Sequence, residues 1–510
     1  MRALARGLDG AALVLAALAV AVLATGPLRL GGLALERAED LVVAAALVVG
    51  ARLALAPVAL PCFSPRVLVA AGVALYVVVM GFIVVTRHVA LRTHALDLGY
   101  YVQVVWNLAQ GNGARVTLPP MHAWGDHFSP ILYLFAALGR LFPGATALLL
   151  AQTVIFAAGA VALAGFAARR LGDARVAAGF AVLYLLSPTL HGINIRDVHP
   201  TAFAIPLVIA AAWAVDAERP VWAALAVLAA LAGREDCAVA GVGFGIWLAL
   251  ARRRRVVGAL VVIACVAILW LDMNVLMPYF RGEPYPHLVK RYAYLGATLP
   301  EVLTSIVVRP WRWVPVVVTP QKALYLAAML APLGFLPLAA PRAAAAALPG
   351  LAMNLLSTDS FLFSYRTPYQ AFVLPFLFLA AVEGFATLRS AAWRPRRVSA
   401  RAVMVAAAIV ALVLGAGTVN DLGVSKWALS PDQRALRALL ARVPPMVAVS
   451  VNERLVPHLA TRPECYVFPA GVDRAQWVLD RESRIAREHV VGFEMVARDA
   501  GWALLRRSST

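Results

Sequence analysis

Charge is scarce in this sequence, and cysteine is scarcer. Only 14% of its 510 residues are charged while 62% are hydrophobic, against roughly a quarter charged and half apolar in an ordinary soluble domain. That deficit excludes a soluble globular protein and calls for a bilayer as solvent. Acidic residues are few beside basic ones, 27 against 46, which leaves a formal net charge of +19. A nucleic-acid partner would need those cations in an amphipathic or aromatic-interleaved stripe; they sit instead in short loops between apolar runs. The four cysteines, Cys62, Cys237, Cys265 and Cys465, show no CxxC or Cys/His spacing, so neither a structural zinc site nor a disulfide framework is indicated. No repeat of fixed period is found, which tells against transporter folds built from symmetric halves.

What is present is a series of about thirteen apolar runs of a length to cross, or nearly cross, about 30 Å of hydrocarbon. The first is Gly10 to Gly26, the second Leu41 to Pro57, and the last four are Lys322 to Ala340, Ala343 to Leu356, Ala371 to Leu388 and Ala402 to Val419. The expected fold class is therefore an all-α polytopic membrane protein. Arginine near span ends is retained in the cytoplasm, and alternate loops collect it: Arg2 and Arg6, Arg52 and Arg66, Arg169, Arg170 and Arg175, Arg252 to Arg255, Arg342, and Arg389 to Arg401. The N-terminus is thus expected in the cytoplasm and the C-terminal tail outside. Met1 to Gly26 also has the form of a signal peptide, whose removal would leave the remaining topology unchanged.

Three regions follow. Residues 1–66 form a two-span segment, residues 67–420 a membrane domain with large outer loops at 87–143 and 278–321, and residues 421–510 a polar tail. The tail alternates strand-like runs (Met446 to Val451, Cys465 to Pro469, Gln476 to Leu479, Trp502 to Arg506) with helical segments, which reads as a small outer α/β domain.

Nearly every unusual polar cluster of the membrane part falls on the outer side. The first outer loop holds His94, Asp97, His122, Asp126 and His127; the next turn holds His191, Arg196, Asp197 and His199; the third holds Arg234, Glu235 and Asp236. Ionisable groups at membrane depth are costly, so they are paired or functional. Asp97 precedes a helical apolar pattern, where it either caps the helix or works as a catalytic or metal-binding carboxylate. Asp126 beside His127 suits proton transfer or a divalent metal, and equally suits a plain turn. Asp197 and Glu235 have Arg196 and Arg234 as partners for structural ion pairs, and His199 reads alternatively as an interfacial histidine. Arg281, His287, Lys290, Arg291 and Tyr292 in the second long loop suit a phosphate or anionic lipid headgroups. Tyr365 and Arg366 in a third outer loop would complete a phosphate clamp or anchor the interface.

The strings that carry these residues resemble a known family. They are Asp97-Leu-Gly-x-Tyr with Trp106-Asn107-Leu108 and Gly111-Asn112; Gly125-Asp126-His127-Phe128-Ser129-Pro130; Ser187-Pro188 leading to Asp197-x-His199-Pro200; Glu235-Asp236; Pro278-x-Phe280; Arg291-Tyr292 with Leu295-Gly296; and Leu455-Val456-Pro457-His458-Leu459. From about Arg87 onward the chain resembles bacterial polytopic membrane proteins carrying a domain of unknown function, which look like the GT-C class of membrane glycosyltransferases. The resemblance implies a GT-C-like fold in the bacterial cytoplasmic membrane, and transfer of a sugar from a polyprenyl-phosphate donor to an envelope glycan, lipid or protein. By that likeness Asp97 is the general base or a metal ligand. Asp126 and His127 would orient it or join it around Mg or Mn, and Arg196, Arg234, Lys290, Arg291 or Arg366 would face the phosphate. Tyr365-Arg366 stands where related sequences are richer in histidine, which tells against a metal site built from that loop.

Two other classes compete. A lipid-linked substrate transporter or flippase needs a polar path through the membrane, and few charges lie within the runs apart from Asp272 and Glu383. A non-catalytic scaffold would tolerate loss of Asp97. The enzyme reading expects Asp97, Asp126, His127, Asp197 and His199 to line one outer cavity, with a lipid groove opening beside it.

Overall fold

The computed structural model describes residues 2–55, 63–284, 290–390 and 400–508. His287 lies outside them, and so does the side chain of Lys290.

Among the described residues five helices are long and apolar enough to cross a membrane: Ala3–Thr25, Pro65–Val89, Ala145–Leu171, Arg255–Arg281 and Ala402–Leu422. Two bent pairs, Ala174–Leu185 with Pro188–Ile195 and Pro310–Val317 with Pro320–Leu333, bring the number to as many as seven if each is one broken span. Thirteen full spans are therefore not what length and composition support, and proline is a main reason. The run from Lys322 to Ala340 breaks into 3-10 turns at Ala331–Leu333 and Leu336–Ala339, where Pro332 and Pro337 lack the N–H that an α-helix needs. Between them Gly334 and Phe335 take φ of 59° and 56°. The run from Ala343 to Leu356 divides in the same way around Ala345–Ala347. In the run from Ala371 the chain opens with a 3-10 turn at Pro368–Phe372 and leaves a helix of 17 residues, Leu374–Ser390. Ala38–Leu55 is helical but carries Glu39, Asp40 and Arg52. Elements that pack inside the bundle do not have to match the bilayer thickness, and every side chain from Leu374 to Val382 is buried.

The tail folds as a five-stranded sheet in the order Cys465–Val467, Val449–Val451, Trp477–Arg481, Trp502–Arg507, Phe493–Asp499. The first three strands run parallel and the last two pairings are antiparallel. Phe493–Asp499 is an edge strand that the sequence did not announce, because its largely exposed, charge-bearing residues lack the alternation of a half-buried strand.

The sheet does not own its core. Leu436, Val449, Leu455, Val456, Leu479 and Leu504 belong to the same apolar cluster as Met80, Leu98 and Val104 of the bundle. Only the far face has a separate small core, of Phe468, Val478, Ile485, Ala503 and Leu505.

Candidate active site

Asp97 sits in a π-helical turn, Ala95–Gly99, rather than at the start of an ordinary helix. The turn begins at His94, whose backbone is extended, and the N–H groups of Leu98 and Gly99 both donate to the His94 carbonyl, at 3.2 and 3.1 Å. A π-turn places one extra residue in the helical path and is common at functional positions. Leu98 and Gly99 face the core, and the Tyr100–Gln110 helix continues from them. Asp97 remains exposed. Neither end of this turn has a side-chain cap, and among the described residues the Asp97 carboxylate has no hydrogen bond or ion pair. It is therefore not a capping residue, and its charge is unspent on the fold.

That carboxylate lines a cavity of about 650 Å³, together with Asp197, His199, Arg196, Arg366, His94 and Arg87. Asp197 is fixed by strain and by hydrogen bonds. Its φ is 66° although it is not glycine, it is 3% exposed, and it accepts from the His94 N–H at 3.0 Å, with the His94 ring Nδ1 at 3.4 Å. Left-handed backbone in a non-glycine residue persists only where its surroundings impose it. Gln152, buried in the Ala145–Leu171 helix, supplies that constraint by donating to the Asp197 carbonyl at 2.7 Å and accepting from the His199 N–H at 2.9 Å. Sequence reasoning missed Gln152; a polar amide inside an otherwise apolar span was its signal. The His199 ring is held by its Nε2 against the Arg196 carbonyl at 2.6 Å. The hydrogen bond to Asp197 raises His94 above the ordinary imidazole value, against a smaller cost of burial.

Two guanidinium groups in this cavity have no carboxylate partner among the described residues. Arg196 donates to the Arg366 carbonyl at 3.0 Å and lies 5.3 Å above the Phe361 ring. Arg366 donates to the Thr418 hydroxyl at 3.0 Å. Burial and the like charge of Arg366 push Arg196 down from its usual range, and Asp97 opposes them. By contrast Arg87 and Arg92 share Asp421, at 3.5 and 3.2 Å. Neighbouring unpaired cations in a pocket are the arrangement that an oxyanion such as phosphate satisfies.

A second polar cluster lies off this cavity. The His127 Nδ1 is 2.9 Å from Glu235 Oε1, and the Phe128 N–H donates to Glu235 Oε2 at 3.0 Å. Arg234 is paired with Asp236 through both carboxylate oxygens and lies 3.9 Å from Glu235. The N–H of Asp126 closes a turn onto the Ala123 carbonyl at 3.1 Å. The expectation of one shared cavity thus divides: Asp97, Asp197 and His199 line it, and Asp126 and His127 do not. Burial raises the Tyr101 phenol above its ordinary value; Arg234 opposes this, and Glu235, Asp97 and Asp126 add to it.

Among the described residues no three histidine, cysteine or acidic side chains are grouped to hold a metal ion. Asp97, Asp126 and His127 therefore do not fit a shared Mg or Mn site, since Asp97 lies in the cavity and His127 is committed to Glu235. The phosphate candidates separate as well. Arg291 is held by Asp359 at 3.3 Å and by the Tyr369 hydroxyl at 2.8 Å, and the Tyr365 hydroxyl donates to the Leu414 carbonyl at 3.3 Å.

Burial opposes the His127 imidazolium, but Glu235 together with Asp126 offsets this and raises it above 6.5; Glu235 is conversely held below 4.5, burial being outweighed by His127 together with Arg234 and a backbone hydrogen bond. A raised histidine stabilises the fold fully below its unfolded value and loses that contribution as pH climbs through the raised one. A lowered carboxylate contributes above its unfolded value and loses it as pH falls through the lowered one. The pair is at full strength between these two ordinary values, 4.5 and 6.5. Thermal melting in detergent is expected to fall as pH rises from there into the alkaline range, and Glu235→Gln to flatten that slope. An unchanged slope in the variant would remove the pair as its source.

Beside the arginine cavity runs an apolar one of about 250 Å³, walled by the Pro65–Val89, Ala174–Leu185 and Ala400–Gly415 helices through Leu75, Val79, Met80, Leu185 and Leu412. The two adjoin. His191 and Thr418 line the apolar cavity, while their respective neighbours, Gly192 in sequence and Arg366 by hydrogen bond, line the polar one.

The model of the family described as a predicted membrane protein (DUF2079) matches residues 87–503. The chain belongs to that family. It is accordingly a multi-pass membrane protein. No curated protein matches the sequence. Among solved structures, the fold is similar to the crystal structure of ArnT from Cupriavidus metallidurans in the apo state, with a TM-score of 0.55 at 15% identity, over 86% of this chain and 97% of that one. It is likewise similar to ArnT from the same organism bound to undecaprenyl phosphate, with a TM-score of 0.51 at 15% identity, over 87% and 98% of the two chains. At that identity the likeness establishes a shared fold, which agrees with the GT-C resemblance of the sequence.

Proposed function

We propose that this family member is a GT-C-type glycosyltransferase that takes a sugar from a polyprenyl-phosphate donor at the outer face of the cytoplasmic membrane. One observation carries the reading: a carboxylate unpaired among the described residues, Asp97, and two guanidinium groups without carboxylate partners among them, Arg196 and Arg366, share a cavity that adjoins an apolar one between membrane helices. A lipid-linked sugar phosphate needs that set of surfaces. Its prenyl chain suits the apolar channel, its phosphate suits the arginines, and its anomeric carbon then lies within the polar cavity. The ArnT bound to undecaprenyl phosphate supports a polyprenyl-phosphate partner for this shared fold.

In the reaction the hydroxyl of an envelope glycan, lipid or protein attacks the anomeric carbon as the bond from that carbon to the phosphate oxygen breaks. Asp97 takes the hydroxyl proton, and the phosphate leaves toward Arg196 and Arg366 with its charge matched. Asp197 and His94 hold the edge of the cavity in register. No step is routed through a metal. In this proposal the N-terminus is cytoplasmic, the tail is extracytoplasmic, and several of the shorter helices complete the spans.

The test is incubation of purified protein in nanodiscs with a panel of radiolabelled polyprenyl-phosphate sugars and envelope extracts. Label moving from the lipid to an acceptor, or to water, is the expected outcome. Retention of undecaprenyl phosphate with no turnover of any donor would turn the reading toward a lipid transporter, and no retention at all would end it.

A further inference from the structure

The turn that carries Asp97 does not rest on the membrane helices alone. Beneath it lies a segment of the C-terminal sheet domain, Leu455-Val456-Pro457-His458-Leu459, whose Val456–Leu459 helical turn packs directly on Ala95–Gly99. The contact has no slack. A methyl group added at Gly99 would stand 2.7 Å from Val456 Cγ1 and 3.4 Å from the Pro457 nitrogen. Leu455 and Val456 are both fully buried. Gly99 is two residues from Asp97 and closes the π-turn, so displacement of its backbone is transmitted to the carboxylate.

Two struts on either side of this contact hold the same stretch of chain. On the entering side, the His458 ring stacks on the His88 ring at 4.0 Å with 10° between their planes, and the His88 Nδ1 meets the Thr93 hydroxyl at 3.1 Å. Thr93 immediately precedes His94, the residue that starts the turn. On the leaving side, Gln103 of the following helix donates to the carbonyls of Arg462 and Pro463, each at 3.3 Å. Thr117 then exchanges hydrogen bonds with the Cys465 backbone at 2.6 and 3.1 Å. The chain is therefore gripped before, under and after Asp97 by residues 455–465.

We propose that Val456 is a positioning residue for Asp97: the outer domain is the bed of the π-helical turn, and the fit of Val456 against Gly99 sets where the carboxylate stands in the cavity. This rests on the reading of Asp97 as the base. A π-turn is an unfavourable local conformation that a packed neighbour must hold. A misplacement of about 1 Å at a reacting group lowers rates by about a hundredfold. Val456 itself does not line the cavity, and so acts through Asp97 rather than on substrate.

The test has two independent readouts. In turnover, Val456→Ala is expected to lower kcat by about tenfold to a hundredfold, with the KM for the lipid-linked donor and the retention of undecaprenyl phosphate unchanged. Gly99→Ala should do the same from the opposite side of the contact. The double variant, in which one of the two methyls lost from Val456 is replaced by the methyl added at Gly99 where Cγ1 had stood against it, should recover most of the rate; a general loss of stability would add rather than cancel. The second readout needs no activity. In a Cys62→Ser background, the other cysteines being buried, the thiol introduced by Asp97→Cys is titrated with a charged methanethiosulfonate. Its labelling rate should change several-fold with Val456→Ala and return with the added Gly99→Ala. Should Val456→Ala fail to fold, Gly99→Ala with the same thiol decides the question. Absence of turnover in the unaltered protein would defeat the assigned reaction while the thiol still reports on the positioning. Labelling rates that ignore both substitutions would overturn the positioning, whatever the activity.

Discussion

Asp97→Asn is expected to lower sugar transfer about a thousandfold while leaving undecaprenyl phosphate retention unaltered. The size follows from the role. A positioned general base contributes about 10²–10⁴ in rate, and the amide keeps the shape of the side chain while removing its capacity to take a proton. The selectivity follows from the surroundings. Asp97 is exposed, and among the described residues its carboxylate has no hydrogen bond or ion pair, so the substitution strands no buried partner and removes no cap. The informative comparison is Asp197→Asn. Asp197 is buried and receives the His94 N–H, so its loss is expected to lower thermal stability as well as turnover. Equal losses of rate and melting temperature at position 97 would make Asp97 structural and leave the reaction without its base.

The second large effect concerns the arginines. Arg366→Ala or Arg196→Ala is expected to weaken retention of the lipid phosphate by about 2 kcal/mol, roughly thirtyfold, as for truncation of one partner in a desolvated charge pair. Lysine should restore little of this, because a point charge cannot reproduce a guanidinium fork on phosphate oxygens. The loss should appear in KM, with a weaker salt dependence of binding in each variant. Arg291→Ala provides the contrast. Its guanidinium is occupied by Asp359 and Tyr369 outside the cavity, and lipid retention should survive its removal. If Arg291→Ala and Arg366→Ala weakened binding alike, the phosphate would have to lie elsewhere.

These contrasts also measure what one sequence can disclose. Asp97, the turn with Asp197 and His199, and Arg366 were all visible as costly polar residues among apolar runs, because hydropathy and loop charge assign them to one expected face without any knowledge of packing. Their grouping was not visible. A common face of the membrane and the family resemblance put Asp126 and His127 in one expected site with Asp97, whereas His127 reaches across 108 residues to Glu235 and His94 across 103 to Asp197. Partnerships at such separations depend on which helix ends meet, and no local pattern encodes that. The number of spans is not confirmed for a related reason. Hydropathy counts apolar residues, but Pro332 and Pro337 break the backbone inside a run that remains apolar throughout. The Phe493–Asp499 strand escaped because an exposed edge has no buried face to print its period.

The shared core has a consequence for how such a protein can change over generations. A five-stranded sheet that borrows one face of its interior from a membrane bundle would bare Val449, Leu455 and Val456 if separated from it. Such a small unit has little other apolar surface with which to hold itself together. It is not a portable module, and recombination that exchanged it for another domain would cost the membrane part its own packing. The family match agrees with that, since it runs over residues 87–503 and so takes in bundle and sheet together.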